Sequence, residues 1–153
     1  MNDMFNGLVD QLPVLMERLE SDGPRTWDSL GPLPQKGIYL FSEDGRDLYI
    51  GRSDSIRQRI RQHGRRGSSH LQAPFAFNLA RRDAGTAGVD VNGISREDLQ
   101  NDAAFAALFK ESKVRVRRMH IRAVEVNDPI LQTLFEVYAS LELNTPFNDF
   151  RTH

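Results

Sequence analysis

The stretch that decides the fold runs from Gly37 to His63 and reads GIYLFSEDGRDLYIGRSDSIRQRIRQH. Its first residues, up to Phe41, are β-branched, aliphatic and aromatic, as is typical of a strand. Asp44-Gly45 is typical of a tight hairpin turn that needs positive φ angles, and a second β-rich run returns after it. A helix follows, with Ile56 and Ile60 on one face. The sequence therefore predicts strand, turn, strand and helix in that order.

Four reactive side chains of this stretch are predicted to converge beside the sheet. Tyr39 and Tyr49 approach each other across a two-residue turn, while Arg59 and His63 lie one helical turn apart at the edge of the isoleucine stripe. Phenols and imidazoles move protons, and a guanidinium binds oxyanions through a planar fork, so the set suits a phosphodiester. The same residues also fit a packed hairpin beside a solvated helix. Geometry alone leaves both interpretations open.

The order of the motifs resembles the GIY-YIG nuclease family. Gly37-Ile38-Tyr39 is followed by Tyr49-Ile50-Gly51, and then by an arginine and a histidine at matching offsets. Downstream, Glu136 resembles the metal-binding glutamate of the family, and Pro146-Phe147-Asn148 resembles the segment with its closing asparagine. The resemblance implies an α/β (α+β) fold with a small three-stranded antiparallel sheet flanked by helices.

The resemblance covers residues 37–63 and about 114–149, and it implies a metal-dependent endonuclease that hydrolyses DNA phosphodiester bonds. One divalent ion, Mg²⁺ or Mn²⁺, is implied as the cofactor. Tyr39 is the implied activator of the attacking water, aided by the second phenol or the imidazole. Arg59 would stabilise the phosphorane charge, Glu136 would hold the metal, and the asparagine would order the site by hydrogen bonds. The implied catalytic residues are Tyr39, Tyr49, Arg59, His63, Glu136 and Asn148.

Arginines cluster on the polar side of this predicted site. Residues 52–66 contain six arginines and one acid, and a second basic group lies within residues 113–122. The net charge of −1 gives no global attraction to nucleic acid, so any attraction must be local. Phosphate backbones are the expected partner, and a solvated helix face with cross-strand charge pairs is the alternative. The predicted DNA contacts are Arg52, Arg57, Arg61, Arg65 and Arg66.

The length of 153 residues predicts a single domain over residues 1–153. An accessory helix is predicted over residues 3–20, and Pro13 would kink it or start a second short helix. A helical insertion over about residues 64–113 separates the two matched blocks and is predicted to control substrate choice. The buried stripe of the accessory helix is predicted to be Phe5, Leu8, Leu12, Leu15 and Leu19.

Residues 114–126 predict the third strand. Their alternation slips near Arg117-Arg118, as a bulge or burial on both faces would cause. Asp128-Pro129 then opens a helix as its cap and first residue. On a helical wheel Glu136 points nearly opposite the predicted core stripe, which places it outside the core. That stripe is Ile130, Leu131, Leu134, Tyr138 and Leu141.

Composition excludes several classes of protein. The chain has no cysteine, so it has no disulfide framework and no thiolate metal site. No segment approaches transmembrane length and the start lacks a signal-peptide pattern, which predicts a cytoplasmic protein with no membrane partner. Two rival classes are a non-catalytic nucleic-acid-binding module and a nuclease-like subunit that acts through protein interaction. Cleavage of both DNA strands would need two visits or a homodimer, and a homodimer is expected.

Overall fold

The computed structural model describes residues 2–150, so the predicted domain over residues 1–153 extends past these bounds at both ends. Within the described chain the strands are β1 (Gly37–Glu43), β2 (Arg46–Ser53) and β3 (His120–Glu125). The helices there are α1 (Asp3–Val9), α2 (Leu12–Ser21), α3 (Ile56–Gly64), α4 (Pro74–Ala87), α5 (Arg96–Asn101), α6 (Ala103–Arg117) and α7 (Pro129–Leu143). Among these helices none combines the length and the apolarity that crossing a membrane requires.

The described chain divides into two compact units. The sheet unit comprises residues 2–57 and 120–150, and the helical unit comprises residues 58–119. Helix α3 begins in the sheet unit and continues into the helical unit. Most of the two matched motif blocks therefore falls in the sheet unit, while the predicted insertion over about residues 64–113 falls in the helical unit.

The sheet has the order β2-β1-β3, and both strand pairs are antiparallel. This confirms the predicted α+β architecture with a small three-stranded antiparallel sheet. Ile38, Leu40 and Ile50 belong to one hydrophobic cluster with apolar residues of α2 and α7, so those two helices cover one face of the sheet. Because β1 is central, β2 is an edge strand with one side free of strand pairing.

Positive φ angles fix the turn and the start of β1. Asp44 and Gly45 have φ angles of 52° and 78°, which confirms the predicted two-residue turn. Gly37 has a φ of 154°, and a Cβ there would lie 2.0 Å from the carbonyl oxygen of Val124. Only glycine fits where β1 begins beside β3.

A β-bulge in the hairpin determines which side chains share a face. The pairing register shifts after Phe41, so that Phe41 pairs with Tyr49 and Leu48 is the extra residue. One inserted residue turns all subsequent side chains of that strand to the opposite face. The bulge therefore puts Tyr49 and Gly51 on the same face as Tyr39, opposite the face that α2 and α7 cover.

The predicted accessory helix over residues 3–20 consists of two helices, α1 and α2, which are separated at Asp10–Gln11. Pro13 lies in the first turn of α2, where its missing N–H costs no helical hydrogen bond. Of the predicted stripe, the three leucines of α2 are buried, Leu8 is partly buried and Phe5 is exposed. The short α1 thus has no buried residue of its own.

The prediction that residues 114–126 form one strand is wrong in its first half. Helix α6 extends to Arg117, and β3 begins only at His120. The slip in alternation near Arg117-Arg118 marks the end of a helix, since Arg118 is the C-cap of α6. Arginines in a last helical turn interact favourably with the helix dipole, which accounts for the basic residues there.

The predicted core stripe of α7 is confirmed at Leu131 and wrong at Ile130 and Leu141, while Leu134 and Tyr138 pack against the core only in part. Ile130 and Leu141 are 54% and 75% exposed. Asp128 caps α7 as predicted, its carboxylate accepting hydrogen bonds from the backbone N–H groups of residues 130 and 131. The buried residues are Leu131, Gln132, Phe135, Ala139 and Ser140. A large aromatic ring alternating with small residues lets α7 pack closely on the sheet, which a count of aliphatic residues misses.

The helical unit has an aromatic core. Helix α4 packs against α6, and α5 packs against α6 as well. Phe77 of α4 lies 5.1 Å from Phe105 and 5.6 Å from Phe109 of α6, measured between ring centroids. All three rings are buried, which gives this unit an apolar centre within its own residues.

Candidate active site

The ring of Tyr39 lies directly over Gly51 of β2. The two residues pair across the ladder, and a Cβ at position 51 would lie 2.2 Å from both Cζ and Oη of the tyrosine. Tyr39 is 1% exposed and meets Phe41 edge-on, with ring centroids 5.8 Å apart. Tyr49 is half-buried on the same face. The position of the Tyr39 ring therefore requires a glycine at position 51.

The side chain of Asn148 pairs with the free edge of β2. The backbone N–H of Ile50 donates to Oδ1 of Asn148 at 2.8 Å, and Nδ2 donates back to the carbonyl oxygen of Ile50 at 2.8 Å. The hydroxyl of Thr145 donates to the same Oδ1 at 2.8 Å. The amide thus takes the place of a neighbouring strand residue. Sequence reasoning missed Thr145, although a threonine three residues before an asparagine at a helix end can make such a bond.

Glu136 of α7 lies beside Arg52 at the far end of β2. Nε of Arg52 is 3.8 Å from Oε1 of Glu136, and their side chains are 46% and 20% exposed. Burial raises the pKa of Glu136, and the guanidinium of Arg52 lowers it only in part. The wheel prediction that Glu136 points away from the core is therefore wrong, because the carboxylate lies at the edge of the buried face of α7. Its negative charge is desolvated and incompletely compensated.

Four predicted site residues meet along three consecutive positions of the edge strand. Asn148 binds residue 50, the ring of Tyr39 covers residue 51, and Glu136 pairs with Arg52. The tyrosines belong to one face of the sheet, and α7 with Glu136 covers the other. An edge strand is the place where groups from both faces can reach the same ligand, and residue 51 has no side chain to separate them.

Arg59 and His63 belong to the helical unit. Arg59 donates to Oε1 of Gln62 and to the carbonyl oxygen of Gln72, both at 2.9 Å. His63 is fully buried, and this burial lowers its pKa well below 6.5, with a further lowering by the charge of Arg59. The imidazole is therefore neutral at physiological pH, and its lowered pKa makes it a weaker base than an exposed histidine.

The arginines that are predicted to contact DNA differ in their exposure and in their contacts within the protein. Arg57 donates a hydrogen bond to the carbonyl oxygen of Gly31, which orients its exposed guanidinium. Arg65 and Arg66 are exposed in the loop after α3, and Arg61 is half-buried. These last three arginines belong to the helical unit, whereas the arginines at positions 52 and 57 belong to the sheet unit.

Lys113 does not belong to the exposed second basic group that the sequence suggested. Its ammonium is buried and donates to the carbonyl oxygens of Arg66 at 2.7 Å and Ser68 at 2.9 Å. Arg122 likewise donates from Nε to the carbonyl oxygen of Asp22 at 3.0 Å. Burial, with the nearby charge of Arg117 as a smaller cause, lowers the pKa of Lys113. This lysine holds the loop of exposed arginines in place.

Glu136 contributes one carboxylate to the candidate site. Among the described residues there is no group of three or more histidine, cysteine, aspartate or glutamate side chains that could enclose a metal ion. Mg²⁺ is commonly held by one or two carboxylates and keeps several waters, so a single carboxylate is compatible with this ion. A desolvated carboxylate with a raised pKa gains from a nearby cation.

Comparison of the chain with protein-family models, with curated proteins and with solved structures finds no match. Function must therefore be inferred from the motif residues and from the geometry of this chain. That geometry joins motif residues separated by about a hundred positions, as the bonds between Ile50 and Asn148 illustrate.

Proposed function

We propose that this chain is a GIY-YIG-type endonuclease that hydrolyses DNA phosphodiester bonds with one divalent metal ion. The observation that carries the proposal is the convergence of Asn148, Tyr39 and Glu136 on residues 50–52 of the edge strand. A hairpin with a purely structural role requires neither a desolvated carboxylate such as Glu136 at its end nor a glycine such as Gly51 under the ring of Tyr39.

The residues of the sheet unit have distinct parts in the proposed reaction. Glu136 would hold Mg²⁺ or Mn²⁺, which supplies Lewis-acid stabilisation of the phosphate and the leaving oxygen. Arg52, half exposed beside that carboxylate, binds a phosphate oxygen. By the resemblance, Tyr39 would accept a hydrogen bond from the attacking water once substrate is bound, and Tyr49 would assist as the more exposed phenol. Asn148 keeps β2 in the register that this arrangement needs.

The resemblance assigns Arg59 and His63 to the same reaction, Arg59 as the stabiliser of the charge on the phosphorane. Burial keeps the imidazole neutral, and its lowered pKa makes it a weaker base than an exposed histidine, so the proton-accepting role of His63 rests on the resemblance alone. The DNA backbone would be bound by Arg57, Arg61, Arg65 and Arg66, with an affinity that falls as salt rises. Cutting both strands would take two visits or a homodimer.

The decisive experiment compares cleavage of supercoiled plasmid with Mg²⁺, with Mn²⁺ and with chelator. Glu136→Gln removes the charge with little change of shape, and we expect it to abolish cleavage while DNA binding stays near that of the unmodified chain. Glu142→Gln is the matched control, since Glu142 is exposed on the same helix. Calorimetric titration should show that metal binding is weakened by Glu136→Gln and not by Glu142→Gln.

Two outcomes would count against the proposal. Strong Mg²⁺-dependent cleavage by a well-folded Glu136→Gln chain would refute the metal ligand and the one-metal reaction together. DNA binding without cleavage under any metal condition would instead favour the non-catalytic nucleic-acid-binding module.

A further inference from the structure

The buried ring of Phe77 is the centre of a second cluster of cations, in the helical unit. Arg81 follows one turn later on α4, and its guanidinium carbon lies 5.9 Å from the ring centroid. Arg96, the first residue of α5, places its guanidinium carbon 5.6 Å from the same centroid. Both distances are within the range of a cation–π contact. One ring therefore holds two guanidinium groups from different helices.

The surrounding contacts fix this arrangement. The ring of His70 lies 5.9 Å from that of Phe77, and the backbone N–H of His70 donates to Oε1 of Gln100 at 2.7 Å. Gln100 lies one turn after Arg96 on α5. The loop before α4, the helix α4 and the helix α5 are thus tied together around one ring, which limits the motion of both arginine side chains.

The two guanidinium groups lack counter-charges within the described part of the chain. Neither Arg81 nor Arg96 has a carboxylate within 4.0 Å or a hydrogen bond to another of these residues, whereas Arg115 of the same unit approaches Asp83 at 3.9 Å. Both side chains are half-buried rather than enclosed. Each guanidinium carries five N–H donors in a rigid fork, so the donors are oriented and unsatisfied by protein groups.

We propose that Arg81 and Arg96 bind phosphate groups of the nucleic-acid backbone, as a contact site of the helical unit. The inference rests on the proposed function only in taking DNA as the substrate. The two half-exposed forks offer two places for negative charge, and a DNA backbone presents its phosphates in series. Phosphate contacts of this kind fix the position of a protein on the duplex. The site would position the DNA substrate on the helical unit.

The test is the salt dependence of binding to a short DNA duplex, measured on the full chain in chelator. The double variant Arg81→Met/Arg96→Met removes both charges and keeps apolar stems to cover the ring. We expect the slope of log affinity against log salt to fall by roughly 2, since each phosphate contact contributes about 0.9 to that slope for duplex DNA. Lys110→Met removes one exposed charge from the same unit and should leave the slope unchanged.

A lysine double variant separates charge from packing. Arg81→Lys/Arg96→Lys keeps both charges, so its slope should match that of the unmodified chain. An equal loss of slope in the lysine and methionine variants would overturn the proposal, because packing would then be the cause. A slope that is unchanged in the methionine variant would also overturn it. Stabilisation of the chain by inorganic phosphate equal to that by DNA at the same phosphate concentration would reassign the site to a small anion.

The binding measurement does not depend on cleavage, so the two proposals fail separately. A chain that shows the expected change in slope but cuts no DNA would refute the nuclease reaction and leave the phosphate site standing. A chain that cuts DNA while its salt slope ignores Arg81 and Arg96 would refute this site alone.

Discussion

Replacing Asn148 tests whether its side chain holds the edge of β2. Asn148→Ala removes three hydrogen bonds at once, two with the backbone of Ile50 and one with the hydroxyl of Thr145. A hydrogen bond contributes about 0.5–1.5 kcal/mol net, so three bonds contribute roughly 1.5–4.5 kcal/mol. Since Asn148 is only half-buried, water can replace part of this, and we expect a loss of about 2 kcal/mol.

Asn148→Asp is the sharper version of the same test. It keeps the acceptor that Ile50 and Thr145 use, but it replaces the donor Nδ2 by an oxygen 2.8 Å from the carbonyl of Ile50. At neutral pH a carboxylate there repels that carbonyl, and we expect a loss at least as large as in the alanine variant. Protonation at acidic pH restores a donor, so the aspartate variant should recover relative to alanine as pH falls.

The measurement is urea unfolding across a range of pH, with midpoints compared at unchanged m-value. Thr145→Val should lose about 1 kcal/mol, since it removes one of the three bonds. Asn127→Ala, at an exposed position before α7, is the control and should change stability by less than about 0.5 kcal/mol. If Asn148→Ala behaves like this control, or if the stability of Asn148→Asp does not recover in acid, the side chain of Asn148 does not hold the edge of β2 in solution.

Three further predictions concern the other parts of the site. Burial raises the pKa of Glu136, so protonation of this carboxyl stabilises the folded chain, and the stabilisation is lost as pH rises from 4.5 through the raised pKa. Glu136→Gln should therefore raise the melting temperature at pH 7. A lower melting temperature would show that the carboxylate forms a stabilising ion pair. Gly51→Ala should cost about 1–3 kcal/mol of unfolding free energy because its Cβ meets the tyrosine ring, whereas Gly7→Ala, with open space around it, should be neutral or stabilising. Arg59→Ala should lower turnover at saturating DNA by about 10²–10³, while Arg61→Ala should mainly weaken the salt-dependent part of DNA binding; equal turnover losses would refute the distinction.

Local chemistry makes the hairpin predictable from sequence. Asp44-Gly45 demands a turn with positive φ angles, and the structure has that turn. The cap at Asp128 and the helix that follows it are predictable for the same reason. In each case a few adjacent residues determine the backbone, so no knowledge of distant contacts is needed.

Non-local packing sets the limits of that prediction. The bulge at Leu48 leaves no signal in the turn, yet it decides that Tyr49 shares a face with Tyr39. The core face of α7 depends on Phe135 packing on the sheet, which puts Glu136 at the edge of the buried face. The valines before β3 fit a helix end as well as a strand, so their alternation places the start of that strand too early. A wheel or an alternation pattern cannot choose between two apolar faces without the partner surface.

The position of Glu136 costs the fold a desolvation that its ion pair with Arg52 offsets only in part. Burying a carboxylate beside a half-exposed arginine contributes little stability, since such a pair is partly screened and the desolvation is only partly offset. Glutamine would keep the shape of the side chain without the desolvated charge. A glutamate retained at such a position is explained if the charge binds a cation. The stability that Asn148 adds on the same strand would then offset the cost of keeping that carboxylate ready.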